Sequence, residues 1–264
     1  MQLYISTNLY INEQFDHVFK LLEKFENPTS IGIEIFPNWK DINFVKSIER
    51  NKDRLKEHPI SLHGPYFEIE HSAKKDTEEY FYAIEEVKQT CELAQEIGGK
   101  VLVFHHNNRV VEEENKQYLI SQSTENLHEL NDFASKYNVN ILIENAGVKA
   151  KRNMLFNQDE FIQMALKEEN SILLDIGHVH ANGWDLEAVI QALANKITAY
   201  HLHNNNGYED SHERILNGTL DFNKFEELYK KYTPNADLIL EYGYHLAEKL
   251  EEVADDIKYI LKTF

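Results

Sequence analysis

The sequence contains one cysteine, Cys91, among 264 residues. A single thiol forms no internal disulfide and supplies no cysteine-based zinc site, which fits the reducing environment of the cytoplasm. Apolar runs are short as well, since none approaches the roughly 18 uninterrupted residues of a membrane helix. The opening residues, MQLYISTNLY, lack the basic flank and the cleavage site of a signal peptide. We therefore expect a cytoplasmic protein with no membrane partner.

Basic residues are scarce relative to acidic ones. The chain carries 27 Lys and Arg against 45 Asp and Glu, a formal net charge of −18. Affinity for a nucleic-acid backbone comes from cationic contacts, so this balance disfavours DNA and RNA. A local basic patch can outweigh a global sum, and the charge therefore lowers the expectation of a nucleic-acid partner without removing it.

Three familiar motifs are missing from the chain. There is no G-x-S-x-G turn for a serine nucleophile, no Walker loop for a nucleotide triphosphate, and no G-x-G-x-x-G after the first apolar run. The last absence weakens the case for an open, doubly wound sheet that binds a dinucleotide.

What the chain does contain is a regular alternation of two kinds of segment. Short apolar, β-branched runs, typical of strands buried on both faces of a parallel sheet, lie at 3–7, 31–36, 59–64, 100–106, 139–145, 171–178, 197–203 and 237–243. Amphipathic segments that predict helices lie at 12–26, 41–56, 76–99, 113–137, 157–169, 185–195, 221–232 and 246–262.

Eight strand-and-helix units in 264 residues, with no linker between them, predict one (β/α)8 TIM barrel, an α/β domain spanning residues 1–264. A doubly wound open sheet is the alternative. The helix over 76–99 is the clearest, because Asp76 and Glu79 have the spacing of a capping box and Gly98 with Gly99 would end it.

Polar residues mark the ends of the predicted strands. In a barrel of this type the catalytic residues collect where the strands end. Six successive strands, the third to the eighth, end in His63, His105, Glu144, Asp175, His201 and Glu241. The loops after the sixth and seventh strands add His178, Asp210 and His212.

Imidazole and carboxylate groups are the ligands of zinc, manganese and related ions. Buried without a partner, each would cost several kcal/mol, so the joint pattern predicts a divalent metal site, with Mn, Zn, Mg or Co as candidates. His106 and His203 neighbour proposed ligands, so we expect them to point toward the helices or to hydrogen-bond a ligand. Five other histidines lie on helices or loops away from the pattern: His17, His58, His71, His128 and His245. His180 is ambiguous.

These motifs resemble a known family, the xylose-isomerase-like TIM barrels, which include sugar phosphate isomerases and epimerases and endonuclease IV. The resemblance spans nearly the whole chain and is carried by SLHGPYF, VLVFHH, ILIENAG, LLDIGH, LILEYG and HLHNNNGYEDSH followed by NGTLDF. One position departs from the family pattern: Asn204 stands where Asp is common. This departure puts in question one contact that the family's Asp would make, either to a metal or to a ligand residue, and it leaves the main site intact.

The resemblance implies up to three metal positions. Glu144, Asp175, His201 and Glu241 would hold a central metal. His63 and His105, sharing Glu144, would match a second position of the endonuclease IV type. His178, Asp210 and His212 would match a third.

The resemblance also implies an activity. A metal-dependent sugar or sugar phosphate isomerase or epimerase would use Glu144 and Glu241 as its acid/base pair. Aromatic residues on loops after the strands would wall the substrate: Phe36, Trp39, Tyr66, Phe67 and Trp184. Lys151, in the segment KAKR after the fifth strand, is a candidate for binding a phosphate group, with an ordinary solvated loop as the favoured alternative.

Two other functions stay open at this point. An endonuclease-IV-like phosphodiesterase would use all nine ligand positions, but the charge and the short loop FPNWKDIN oppose it. A degenerate sugar-binding or regulatory module is weaker, because no ligand position has become apolar. The oligomeric state does not follow from the sequence.

Overall fold

Eight parallel strands close into a barrel in the computed structural model, which describes residues 1–11 and 14–264. Each strand pairs with its neighbours in chain order, and β1 also pairs with β8. The strands are β1 Leu3–Ser6, β2 Gly32–Ile35, β3 Ile60–Leu62, β4 Val101–Phe104, β5 Asn140–Glu144, β6 Ser171–Asp175, β7 Ile197–Leu202 and β8 Asp237–Leu240. The predicted TIM barrel is therefore confirmed, and the open sheet is excluded.

Helices surround this barrel. They are α1 His17–Leu22, α2 Ile42–Leu55, α3 Glu78–Ile97, α4 Glu113–Ala134, α5 Gln158–Lys167, α6 Ile176–Ala181, α7 Leu186–Leu193, α8 Phe222–Tyr232 and α9 Leu250–Thr263. Residues 12 and 13 of the predicted helix 12–26 lie outside the described residues. In the part of the chain that the structure describes, none of the helices has the length and apolarity to cross a membrane.

Local sequence explains where two elements differ from the prediction. The apolar run 171–178 predicts one strand, but β6 ends at Asp175 because its carboxylate accepts a hydrogen bond from the backbone of His178 and starts α6. Likewise Thr77, and not Asp76, caps α3 by accepting from the backbone of Tyr80. Gly98 ends α3 as predicted, with the left-handed φ of 85° that glycine tolerates.

The strands carry two apolar layers. Most of their side chains pack outward against the helices in the main core. A second, smaller cluster is formed by Val103, Leu142, Leu173, Ala199 and Ile239. Side chains two positions apart on a strand share a face, and two positions after these five residues stand His105, Glu144, Asp175, His201 and Glu241. The apolar cluster is thus the floor on which the polar residues lie.

Candidate metal centre

Four predicted ligands meet around one nitrogen atom. His201 Nδ1 lies 3.5 Å from Glu144 Oε2, 3.8 Å from Asp175 Oδ2 and 3.4 Å from Glu241 Oε2. All four residues are buried. Within residues 1–11 and 14–264, this nitrogen has no hydrogen-bond partner. We call these four residues the central cluster.

Glu34 supports the central cluster from inside the barrel. Its two carboxylate oxygens lie 3.2 and 3.1 Å from Nε2 of His201, and the carboxylate is fully buried. An N–H at Nε2 donates to this carboxylate, which leaves Nδ1 directed at the central cluster. The sequence reasoning missed Glu34. The sequence pattern that could have identified Glu34 is a carboxylate within an apolar run. Glu34 stands two positions after Gly32 in IGIEIF, as Glu144 stands two positions after Leu142 in ILIEN.

The charges of the central cluster are strongly coupled. Burial opposes a charged His201, but Glu241, Glu34 and Glu144 raise its pKa well above the usual value. Burial also opposes a charged Glu144, yet His105 and His201 hold its pKa well below the usual range. Burial raises the pKa of Glu241, and the nearby carboxylates of Glu144 and Asp175 add to that rise. The two glutamates therefore differ in their tendency to hold a proton.

His63 supplies the clearest test of whether a cation fits here. Its Nδ1 donates to the carbonyl oxygen of Gly64 at 2.7 Å, so Nε2 carries the lone pair. Burial and the neighbouring His105 lower its pKa well below the usual value, which keeps the ring neutral. That lone pair faces Glu144 Oε2 at 3.8 Å and Glu241 Oε1 at 3.9 Å. Acceptors facing acceptors in a buried space fit a divalent cation held between them.

The predicted second position is also assembled. His105 Nε2 lies 2.8 Å from Glu144 Oε2, and potential ligand atoms of His63, His105 and Glu144 fall within 4.8 Å of one another. Phe36 stacks on the ring of His63 with centroids 4.1 Å apart, which holds that ring in place.

A second group of ligand-type residues lies farther out, on α6 and on the loop after β7. It consists of His178, His203, Asp210 and His212, which we call the outer cluster. Asp210 Oδ1 lies 3.2 Å from His212 Nε2, 3.5 Å from His178 Nε2 and 3.8 Å from His203 Nε2. Burial opposes a charged Asp210, but His212 and His178 hold its pKa well below the usual range.

His203 joins the two clusters. Its Nε2 lies 3.0 Å from Asp175 Oδ2, which agrees with the expectation that it hydrogen-bonds a ligand residue. The backbone of α6 passes close to its ring, since a Cβ on Gly177 would come within 2.0 Å of the ring carbon Cε1. Only glycine allows this approach. His106 follows the other alternative and lies buried against Phe104 and Phe156, away from the clusters.

The side chain of Asn204 hydrogen-bonds the backbone of the loop after β7. Its Nδ2 donates to the carbonyl oxygens of Ile215 and Leu220, and its Oδ1 accepts from the backbone N–H groups of Asn205 and Leu220. An aspartate could accept these bonds but could not donate. The amide thus ties together the loop that carries Asp210 and His212.

A cavity of about 310 Å³ opens above the central cluster. Among the four central residues, Glu144 and Glu241 line it, as do Tyr66, Phe67 and Lys151. Several lining residues were not predicted: Asn8, Ile11, Asn108, Asn153, Ser211, Tyr244 and His245. His245 had been expected to lie away from the site.

The two tryptophans do not meet the expectation that they wall a substrate. Trp39 lies outside the cavity, where its indole N–H donates to Thr90 Oγ1 at 2.9 Å and its ring packs on Phe44. Trp184 packs on Phe161 with ring centroids 5.8 Å apart, and it too lies outside the cavity. Both indoles are used for packing between the barrel and its helices.

With fold and site in place, comparison with known proteins assigns the family. Residues 15–263 match the family described as xylose isomerase-like TIM barrel, and the chain belongs to this family. An uncharacterized protein of Methanocaldococcus jannaschii is 26% identical over 264 residues, which cover 99% of this chain and 100% of that protein. An inosose isomerase of Bacillus velezensis is 28% identical over 173 residues, and the match spans 60% of each chain.

Solved structures share the fold. A D-tagatose 3-epimerase-like protein superposes with a TM-score of 0.78 at 20% identity and covers 99% of this chain and 98% of its own. The IolI protein with a bound zinc atom has a TM-score of 0.74 at 20% identity, covering 100% of this chain and 99% of its own. At such identities the likeness establishes the barrel architecture.

Proposed function

We propose that this protein is a metal-dependent isomerase or epimerase that acts on a small sugar or a related polyhydroxylated ketone. The observation that carries the proposal is the pair Glu144 and Glu241. Both carboxylates line the cavity, and each has an oxygen 3.4 to 3.5 Å from His201 Nδ1. Their environments push their pKa values in opposite directions. Two carboxylates separated in this way suit one base and one acid.

The names of the similar proteins support the same class. The Bacillus velezensis relative is called an inosose isomerase, and the superposed structures include a D-tagatose 3-epimerase-like protein and a zinc-bound IolI protein. An isomerase or epimerase is therefore consistent with the family to which the chain belongs.

The reaction follows from the positions of the two glutamates. A metal in the central cluster would hold adjacent substrate oxygens and polarise the carbonyl group, which acidifies the neighbouring C–H bond. Glu144 would accept that proton, the electrons of the C–H bond would form a carbon–carbon double bond, and the carbonyl π electrons would move onto the carbonyl oxygen to give an enediolate. The carboxyl group of Glu241 would return a proton to carbon. Return to the same carbon from the opposite face inverts it, whereas return to the adjacent carbon, with transfer of the hydroxyl proton from one oxygen to the other, moves the carbonyl group.

The charge of the cavity favours an uncharged substrate over a sugar phosphate. Of the described residues that line it, Lys151 is the one lysine or arginine, and its ammonium group already lies 2.9 Å from Asp210 Oδ2. A phosphate dianion would face the carboxylates of Glu144, Asp210 and Glu241. We therefore propose that Lys151 contacts substrate hydroxyl groups beside Asp210, with Tyr66 forming part of the opposite wall.

Deuterium exchange tests the proposal directly. Metal-loaded protein incubated with unphosphorylated ketoses and inososes in D2O should place deuterium on the carbon next to the carbonyl group, and the product should be the epimer or isomer. Glu144→Gln and Glu241→Gln should each abolish turnover. Exchange and turnover by the double Gln variant would contradict the assignment of the acid/base pair.

A phosphodiesterase of the endonuclease IV type is the second candidate. It is favoured by the nine predicted ligands, which the structure arranges as overlapping groups with ligand atoms within 4.8 Å of one another. Zinc-loaded protein would then cleave DNA at abasic sites. We favour the isomerase because the cavity is small and lined by carboxylates. In addition, Lys151 already pairs with Asp210, one of the nine predicted ligands.

A further inference from the structure

The outer cluster is a zinc site by composition. It offers the imidazoles of His178 and His212 and the carboxylate of Asp210, a ligand set that suits zinc, while Nε2 of His203 is already engaged by Asp175 Oδ2. His212 Nδ1 donates to the carbonyl oxygen of Glu241 at 2.9 Å, so its Nε2 presents a lone pair to Asp210 Oδ1. That oxygen has no hydrogen-bond donor in the described part of the chain. The donor set alone therefore predicts a bound metal.

One feature beside the outer cluster opposes a second metal. Lys151 donates to the other carboxylate oxygen of Asp210, Oδ2, at 2.9 Å. The Lys151 side chain is half-exposed, while that of Asp210 is 7% exposed. An ammonium group on one oxygen of a carboxylate lies only a few ångströms from any cation on the other oxygen. At that distance, and next to a buried carboxylate, the two positive charges repel each other strongly.

The turn that carries Lys151 is fixed on both sides, which keeps the start of its side chain near Asp210. Residues Lys149–Lys151 form a short 3-10 turn after β5. On one side, the ammonium group of Lys149 donates to the carbonyl oxygen of Asn182 at 2.7 Å. On the other, the carbonyl oxygen of Arg152 accepts from the backbone of Val111 at 2.7 Å. Lys151 therefore has little freedom to leave Asp210 through movement of its backbone.

We propose that Lys151 serves as a built-in cation that neutralises Asp210 and keeps the outer cluster free of metal, so that a divalent ion binds in the central cluster and not beside Asp210. Three observations carry this inference: the ligand set of the outer cluster, the unshared Oδ1 of Asp210 and the ammonium group on Oδ2. The inference rests on the proposed central metal. It makes Lys151 the residue that decides between one-metal chemistry and the several-metal chemistry of a phosphodiesterase.

Zinc stoichiometry tests this inference. The full chain is stripped with a chelator, saturated with zinc, separated from free zinc by gel filtration and analysed for zinc per chain. We expect one zinc in the natural protein and two in Lys151→Met. Lys151→Gln, which keeps a hydrogen-bond donor but removes the charge, should also bind two. The affinity of the second zinc should rise by about tenfold or more when the charge is removed.

Matched variants assign the effect. Arg152→Met removes a positive charge beside the same turn, and its side chain pairs with Glu112 and not with Asp210, so this variant should bind one zinc. Lys151→Met combined with Asp210→Asn should return from two zinc ions to one. Circular dichroism and thermal melting of each variant check that it is folded before zinc is counted.

Each stoichiometry has a distinct meaning. One zinc in both the natural protein and a folded Lys151→Met variant would overturn the inference and leave the proposed function intact. Two or more zinc ions in the natural protein, with one of them lost in Asp210→Asn, would show that the outer cluster is occupied despite Lys151, which would overturn the inference and favour the phosphodiesterase. No zinc in the natural protein would contradict the central metal, and with it the proposed function.

Discussion

The central and outer clusters use the same two kinds of side chain but are supported by different parts of the fold. The central ligands stand at the ends of strands, each two positions beyond an apolar residue of the barrel interior, and Glu34 holds His201 from below. The outer ligands stand on α6 and on a loop, and Lys151 contacts one of them, Asp210, from a neighbouring turn. Strands fix ligand geometry tightly, whereas a loop contact can be changed by one substitution.

The largest effect should come from the acid/base pair. Glu144→Gln or Glu241→Gln should lower kcat by at least about 10³-fold, within the range that general acid/base catalysis contributes. The central metal should stay largely bound, because the amide oxygen of glutamine can still coordinate. Steady-state kinetics together with metal analysis check this. Full loss of metal in both variants would show that the glutamates matter for binding alone.

Removal of a ligand should separate the two clusters. His201→Ala should weaken the central metal by more than the roughly 100-fold that loss of a supporting hydrogen-bond partner costs. Asp210→Asn should leave the affinity of the central metal unchanged, because Asp210 contacts the other outer residues and Lys151. Competition with a metal-binding dye measures both affinities. A large loss in Asp210→Asn would mean that the clusters act as one site.

Glu34 should act through His201. Glu34→Gln keeps the shape of the side chain but removes the charge that orients and polarises the imidazole, so metal affinity should fall by about 10–100-fold. Glu86→Gln is the matched control, because Glu86 is a buried carboxylate on α3 that faces Tyr82 and lies away from the metal cluster. An unchanged metal affinity in Glu34→Gln would remove Glu34 from the central cluster.

Asn204 should matter for the loop and not for the central metal. Asn204→Asp removes the donor to two buried carbonyl oxygens, and we expect the free energy of unfolding to fall by about 2 kcal/mol or more. Urea denaturation measures this, with exposed Asn206→Asp as the control on the same loop. Equal stability of the two variants would show that the amide of Asn204 does not tie the loop.

His71, a buried histidine outside both clusters, should make the free energy of unfolding depend on pH. Burial and the neighbouring His105 and His106 lower the pKa of His71 to about 3. The unfolded chain binds a proton near pH 6.5 that the folded chain refuses, so folding stability falls as pH drops below 6.5. Between pH 6.5 and 5 this amounts to about 1.6 kcal/mol, because the unfolded histidine is already half-protonated at pH 6.5. In metal-free protein, His71→Phe should flatten the stability profile by that amount, as measured by urea denaturation at several pH values.

The strand ends were predictable because two simple rules meet there. Parallel strands are buried on both faces, so they read as apolar runs, and a charged residue at the end of such a run stands out. This is why the structure brings together Glu144, Asp175, His201 and Glu241 as the sequence predicted. Their roles as ligands and as an acid/base pair stay predictions. Glu34 lies inside its apolar run, between Ile33 and Ile35, so the same rule does not find it.

The loops were less predictable because their contacts join residues far apart in sequence. Lys151 and Asp210 are 59 positions apart, and no local pattern links them. Trp39 and Trp184 lie on segments that follow strands, yet both indoles turn toward helices, and a loop sequence without a periodic pattern does not show which way a side chain points. Asn204 looked like a weakened ligand position, but its value lies in donating hydrogen bonds.

The two-residue spacing between the apolar floor and the ligands bears on how this protein can change over time. One residue inserted between Leu142 and Glu144 would turn the carboxylate from the barrel interior toward the helices. Insertions in the loop after β7 would not shift any strand register. Lineages descended from such a barrel should therefore keep strand lengths fixed while loop lengths vary, and new chemistry should arise mainly through exchange of the outer loops above an old central site.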